Sequence, residues 1–109
     1  MILGFLLFIS FQILFSSTFN CNVIDEGYNK PIFLKSYPQS KDTLFIVEQA
    51  GIIWLSIDGQ SKPKEFLNIK DRVHNPLFPG DERGLLGFAL DPDYKNNFMF
   101  YINYINKKG

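Results

Sequence analysis

Three residue types are almost missing from this chain of 109 residues: cysteine, histidine and tryptophan each occur once, as Cys21, His74 and Trp54. A single cysteine excludes an intrachain disulfide. With one histidine beside it, no Cys/His metal-ligand spacing can be assembled. A general base needs a partner to orient it, and His74 stands alone in a polar stretch, which reads as solvated surface. Net charge is also missing: 11 basic residues balance 11 acidic ones. No global field therefore draws the chain to nucleic acid, and nucleic-acid binding is excluded as a leading reading. No Asn-x-Ser/Thr sequon, phosphate-binding glycine loop or nucleophile elbow occurs. Outside the first residues no apolar pattern with a helical period appears.

Charged side chains are absent from Met1 to Phe19, where an apolar run from Ile2 to Phe15 leads to the small pair Ser16-Ser17. Residues 1–20 read as a secretory signal peptide. The second reading is an uncleaved membrane anchor, because the uncharged stretch approaches the roughly 20 residues that span a bilayer. Either way the destination is secreted, periplasmic or extracellular. Cys21 suggests lipid attachment, but Thr18-Phe19-Asn20 places bulky and amide groups where small residues are wanted, so it reads as an incidental thiol or as the partner of a cysteine expected beyond this sequence. Residues 21–30 are polar and read as a linker.

What is abundant is aromatic: twelve Phe and five Tyr. Rings suit the half-buried surfaces where sheets stack. Ile32 to Tyr37, stopped by Pro38, reads as a first strand. Thr43 to Gln49 is nearly continuously apolar, as in a strand covered on both faces. Ala50-Gly51 predicts a two-residue hairpin pairing Leu44–Gln49 with Ile52–Ile57, and Asp58-Gly59 predicts the next turn. Trp54 reads as a ring packed between sheets, and Lys64 to Ile69 as a charged edge strand. Four strands joined by tight turns form one sheet. A polar loop with Pro76, Pro79 and Gly80 then runs from Lys70 to Arg83. Gly84 to Leu90 and Phe98 to Ile105 read as two further strands, linked by an Asp91-Pro92 turn in which the Asp91 side chain accepts backbone N–H groups two residues on.

The run Gly80-Asp81-Glu82-Arg83-Gly84-Leu85-Leu86-Gly87-Phe88-Ala89-Leu90-Asp91-Pro92-Asp93-Tyr94 resembles the motif of the glucose/sorbosone dehydrogenase family. These are six-bladed β-propellers that include quinoprotein sugar dehydrogenases and a hedgehog-interacting branch. Leu44 to Trp54 and Phe66 to Val73 resemble the segments preceding that motif, in the same order. The resemblance implies an all-β fold, with residues 31–109 forming the first blade and the start of the second. A propeller needs about 4 to 8 blades of roughly 40 to 50 residues each, so the chain is expected to be the N-terminal piece of a longer protein. Alone it is expected to aggregate through bare faces and unpaired edges.

The resemblance further implies an exported enzyme that oxidises an aldose sugar with pyrroloquinoline quinone (PQQ) and calcium and passes electrons to an acceptor. Its base, calcium ligands and most quinone contacts are expected downstream of this sequence. Glu82 and Arg83, just before the innermost strand of the second blade, are the expected substrate-binding residues. Glu82 stands where the soluble glucose-oxidising members carry glutamine, and a carboxylate there can accept hydrogen bonds from sugar hydroxyls. The plainer reading is a local ion-pair cluster of Asp81, Glu82 and Arg83 that pins the loop. Asp91 replaces a histidine frequent in the family. Asp91, Asp93 and Asn96 hint at a calcium loop, but Pro92, Lys95 and the missing sixth-position glycine break that pattern. The alternative from a different class is the same propeller used as an extracellular binding module without redox chemistry.

Overall fold

Alternation along Thr43–Glu48 divides its side chains between two faces, and this division organises the fold. Phe45 and Val47 are completely buried on one face, and the facing residues Leu55 and Ile53 of the next strand extend that surface. A computed structural model describes residues 17–59 and 63–109. Strands β1 (Pro31–Ser36), β2 (Thr43–Glu48), β3 (Ile52–Ile57) and β4 (Lys64–Asn68) form an antiparallel sheet in the order β1-β2-β3-β4. Strands β5 (Leu85–Leu90) and β6 (Phe100–Tyr104) form a second antiparallel sheet. A single helical turn, α1 (Tyr94–Asn97), lies between them. The four-stranded meander is one propeller blade and the two-stranded sheet is the start of another, as the sequence implies.

The two sheets meet over an aromatic seam. Phe45 lies 5.0 Å, centroid to centroid, from Phe88 of β5, 4.9 Å from Phe66 of β4 and 5.4 Å from Tyr37. Phe100 of β6 joins at 5.2 Å from Phe66, and Tyr94 of α1 closes the end of the cluster at 6.4 Å from Phe45. Such tilted and edge-on pairs match the positive rim of one ring to the negative face of another. A bulge lets β4 contribute twice. Ile53 pairs with Leu67 while Trp54 pairs with Glu65, leaving Phe66 as the extra residue, so both Phe66 and Leu67 reach the core.

Three local expectations need correction. The β2–β3 link has three residues, not two, because the pairing ends at Glu48 and Ile52. Gln49 leaves the β2–β3 ladder for other partners: its N–H donates to the Lys30 carbonyl and its own carbonyl accepts from Leu85 N–H. Trp54 falls on the face of β3 turned away from the second sheet, beside Ile46 and Ser56, and its buried indole N–H has no acceptor among the described residues. Period-two alternation in an all-apolar strand does not reveal which face meets the neighbouring sheet. Residues 22–30 are irregular but not loose. Asn29 N–H donates to Glu48 Oε1 at 2.7 Å, and the Ser56 and Tyr28 hydroxyls both donate to Asp25, tying the segment to the Trp54 face. Residues 1–16, most of the expected leader of residues 1–20, lie outside the described residues. Among the described residues no helix is long and apolar enough to cross a membrane.

Candidate functional site

The loop from Lys70 to Gly84 is fixed by a buried carboxylate. Asp81 is 6% exposed. Its Oδ1 accepts from the Arg83 N–H (3.1 Å) and Arg83 Nε (2.8 Å), and its Oδ2 accepts from Leu77 N–H (3.0 Å) and Arg83 Nη2 (3.0 Å). Four donors fill the lone-pair positions a carboxylate offers. The forked Arg83 guanidinium, helped by the Leu77 N–H, holds the Asp81 carboxyl far below the usual carboxylate range.

Gln49 grips the same loop from the β2–β3 turn. Its side-chain amide donates to the carbonyls of Asp81 (2.5 Å) and Arg83 (2.8 Å), while its backbone carbonyl accepts from Leu85 N–H at 2.8 Å. Gly84 makes this approach possible. It adopts φ +131°, and a Cβ there would collide with the Gln49 carbonyl. Further backbone bonds join Ile69 N–H to the Gly51 carbonyl (2.8 Å), His74 N–H to the Ile105 carbonyl (2.9 Å) and Ile105 N–H to the Gly84 carbonyl (2.9 Å). The loop is therefore clamped to the hairpin turn of the first sheet and to the end of the second.

The two sequence-predicted site residues sit on this clamp in different roles. Glu82 is exposed, and its carboxylate takes no hydrogen bond among the described residues. Arg83 is committed: both arms of its fork hold Asp81, with 40% of the side chain still exposed. The cluster therefore includes Asp81 and Arg83, while Glu82 stands outside it.

His74 is not solvated surface. Its side chain is 13% exposed, and Nε2 lies 3.6 Å from Asp81 Oδ2, too far for a hydrogen bond, with no other partner among the described residues. Sequence reasoning missed Gln49, whereas Asp81 stands with Arg83 in the loop-pinning cluster that the plainer sequence reading gave. The signal for Asp81 is an aspartate two residues before an arginine, after a Pro-Gly turn, where its carboxylate can reach back to the loop amides. No local pattern announces Gln49, whose loop partners are more than thirty positions away.

At the far end of β5, Asp91 behaves as its turn chemistry predicts. Its Oδ1 accepts from Asp93 N–H (2.9 Å) and Asn97 Nδ2 (2.9 Å), and its Oδ2 accepts from the Tyr101 hydroxyl (2.8 Å). The Asn97 amide, the Asp93 N–H and the Tyr101 hydroxyl together lower its pKa. Among the described residues no group of three or more His, Cys, Asp or Glu side chains is arranged to hold a metal ion.

Comparison with known proteins gives relatives for the sequence as a whole. The chain is 34% identical over 89 residues to hedgehog-interacting protein of Homo sapiens and 33% identical over 89 residues to that of Mus musculus, in each case covering 78% of this chain. It spans 13% of the length of these curated relatives. No protein-family profile matches the chain, and no solved structure matches it. With its one complete blade and the opening strands of a second, the chain is an all-β propeller piece similar over most of its length to a segment of hedgehog-interacting protein.

Proposed function

We propose that this chain is part of an exported β-propeller that serves as an extracellular binding module, with the Glu82 loop as one of its contact surfaces. The observation that carries this reading is the similarity to hedgehog-interacting protein over 78% of the chain. The loop chemistry supports it. A pinned backbone presents an exposed carboxylate at low conformational cost, the condition under which a loop on a rigid scaffold makes a specific contact. In this reading Glu82 touches the partner, and Asp81 and Arg83 hold the loop that carries it. Hedgehog-interacting protein is named for what it interacts with, which makes a hedgehog protein the first partner to try.

The rival reading, PQQ- and calcium-dependent oxidation of an aldose, rests on the resemblance of the motif Gly80 to Tyr94 and of the segments Leu44 to Trp54 and Phe66 to Val73 before it. One experiment separates the two. The full-length protein is expressed, tested for binding to a hedgehog protein by biolayer interferometry, and assayed for dye-linked oxidation of several aldoses with added PQQ and calcium. Saturable protein binding without quinone-dependent turnover is the expected result. Turnover that saturates with the quinone, with no protein binding, replaces the binding module with the enzyme.

A further inference from the structure

Beside the Asp81 clamp a cavity of about 370 Å³, which Glu82 does not line, opens between the β2–β3 turn, the 70–77 loop and the segment after β6. Its polar lining comes from Lys70, His74, Asn75 and Lys107, over apolar walls that include Val73 and Leu77. No carboxylate lines it. Among the described residues neither Lys70 nor Lys107 forms an ion pair. Asp81, 3.6 Å from His74 Nε2, is already neutralised by the Arg83 fork. The cavity thus has two uncompensated ammonium groups, an imidazole and an amide above an apolar floor. Ammonium groups act as compact point charges toward anions, and the volume falls within the range of small-molecule sites.

We propose that this cavity binds a small organic anion, a carboxylate or phosphate monoester carried on a compact apolar body. The lysines supply the attraction, and Val73 and Leu77 select an organic anion over a bare inorganic one. His74 forms the inner wall, its ring held between Asp81 and the ligand space. The site stands apart from the reading of Glu82, and its failure would leave that reading untouched.

The test is isothermal titration calorimetry on the full-length protein at low salt, with benzoate, phenyl phosphate and neutral benzyl alcohol as probes. The protein is compared with the double variant Lys70→Gln/Lys107→Gln. Both lysines are exposed, so the variant keeps the fold, and matched melting temperatures verify that. Saturable binding of one or both anions is expected, weakened about tenfold in the variant, the scale of two partly exposed charge contacts. Added salt weakens it as well, and benzyl alcohol does not bind. Whether benzoate or phenyl phosphate binds more tightly identifies the head group. Absence of saturable binding by both anions, an unchanged affinity in the variant, or equal binding of benzyl alcohol overturns the proposal.

Discussion

Replacing Gly84 by alanine tests how the hairpin turn and the site loop are joined. At φ +131° a side chain forces a sparsely populated backbone conformation, at a cost of about 1–3 kcal/mol. Space adds a second penalty. The new Cβ would land on the Gln49 carbonyl and within 2.8 Å of its Cγ. Moving Gln49 aside breaks its bonds to Leu85 N–H and to the Asp81 and Arg83 carbonyls, each worth about 1 kcal/mol net. The expected loss is therefore about 4–6 kcal/mol, a large share of the 5–15 kcal/mol that typically holds a domain together. Gly80 is the internal control. It also has positive φ (+92°), but nothing lies within 4 Å of a Cβ built there, so Gly80→Ala costs about 1–2 kcal/mol of backbone strain alone. Urea unfolding of the full-length protein measures both, read as a shift in midpoint at constant m. Equal shifts for the two variants would refute the close approach of Gln49 to the loop.

Further perturbations address the core, the buried carboxylate and the N-terminal segment. Phe45→Ala removes a fully buried ring from the centre of the seam and should cost about 3–5 kcal/mol, whereas Phe98→Ala, 66% exposed, should stay within about 0.5 kcal/mol; chemical denaturation compares them. The pKa of Asp81 is lowered from 3.8 in the fold, so its contribution is full above that value and is lost as pH falls through the folded-state value. Asp81→Asn should flatten stability against pH in that acid window, as followed by thermal melts. Tyr28 is pushed up to about 12 by burial and by its hydrogen bond to Asp25. Its contribution is intact below 10.0 and disappears as pH rises toward 12, and a tyrosinate absorbance difference between wild type and Tyr28→Phe should show the late-titrating phenol.

The strands were legible because their signals are local. Apolar runs bounded by Pro38, Ala50-Gly51 and Asp58-Gly59 place β1 to β4 within a residue or two, and the Asp91 turn forms the hydrogen bonds its side chain predicts. What stayed hidden depends on contacts distant in sequence. Gln49 belongs to the site only because β5 returns beside the β2–β3 turn. His74 is half-buried and comes within 3.6 Å of Asp81, seven residues further along the loop. Trp54 faces away from the second sheet because strand order, not hydrophobicity, decides which face of β3 meets β5 and β6. Glu82 and Arg83 are adjacent and similar in polarity, and only the geometry of Asp81 gives them different roles.

The most direct test of the binding-module account is the binding isotherm of the full-length protein with a hedgehog protein, measured in parallel for wild type, Glu82→Lys and Arg83→Lys. The account predicts that Glu82→Lys abolishes binding without lowering the melting temperature, whereas Arg83→Lys lowers the melting temperature by loosening the fork on Asp81. Binding unchanged by Glu82→Lys would contradict the assignment of Glu82 as a contact residue, and no binding by the folded wild type, together with quinone-saturable aldose oxidation, would contradict the binding module itself.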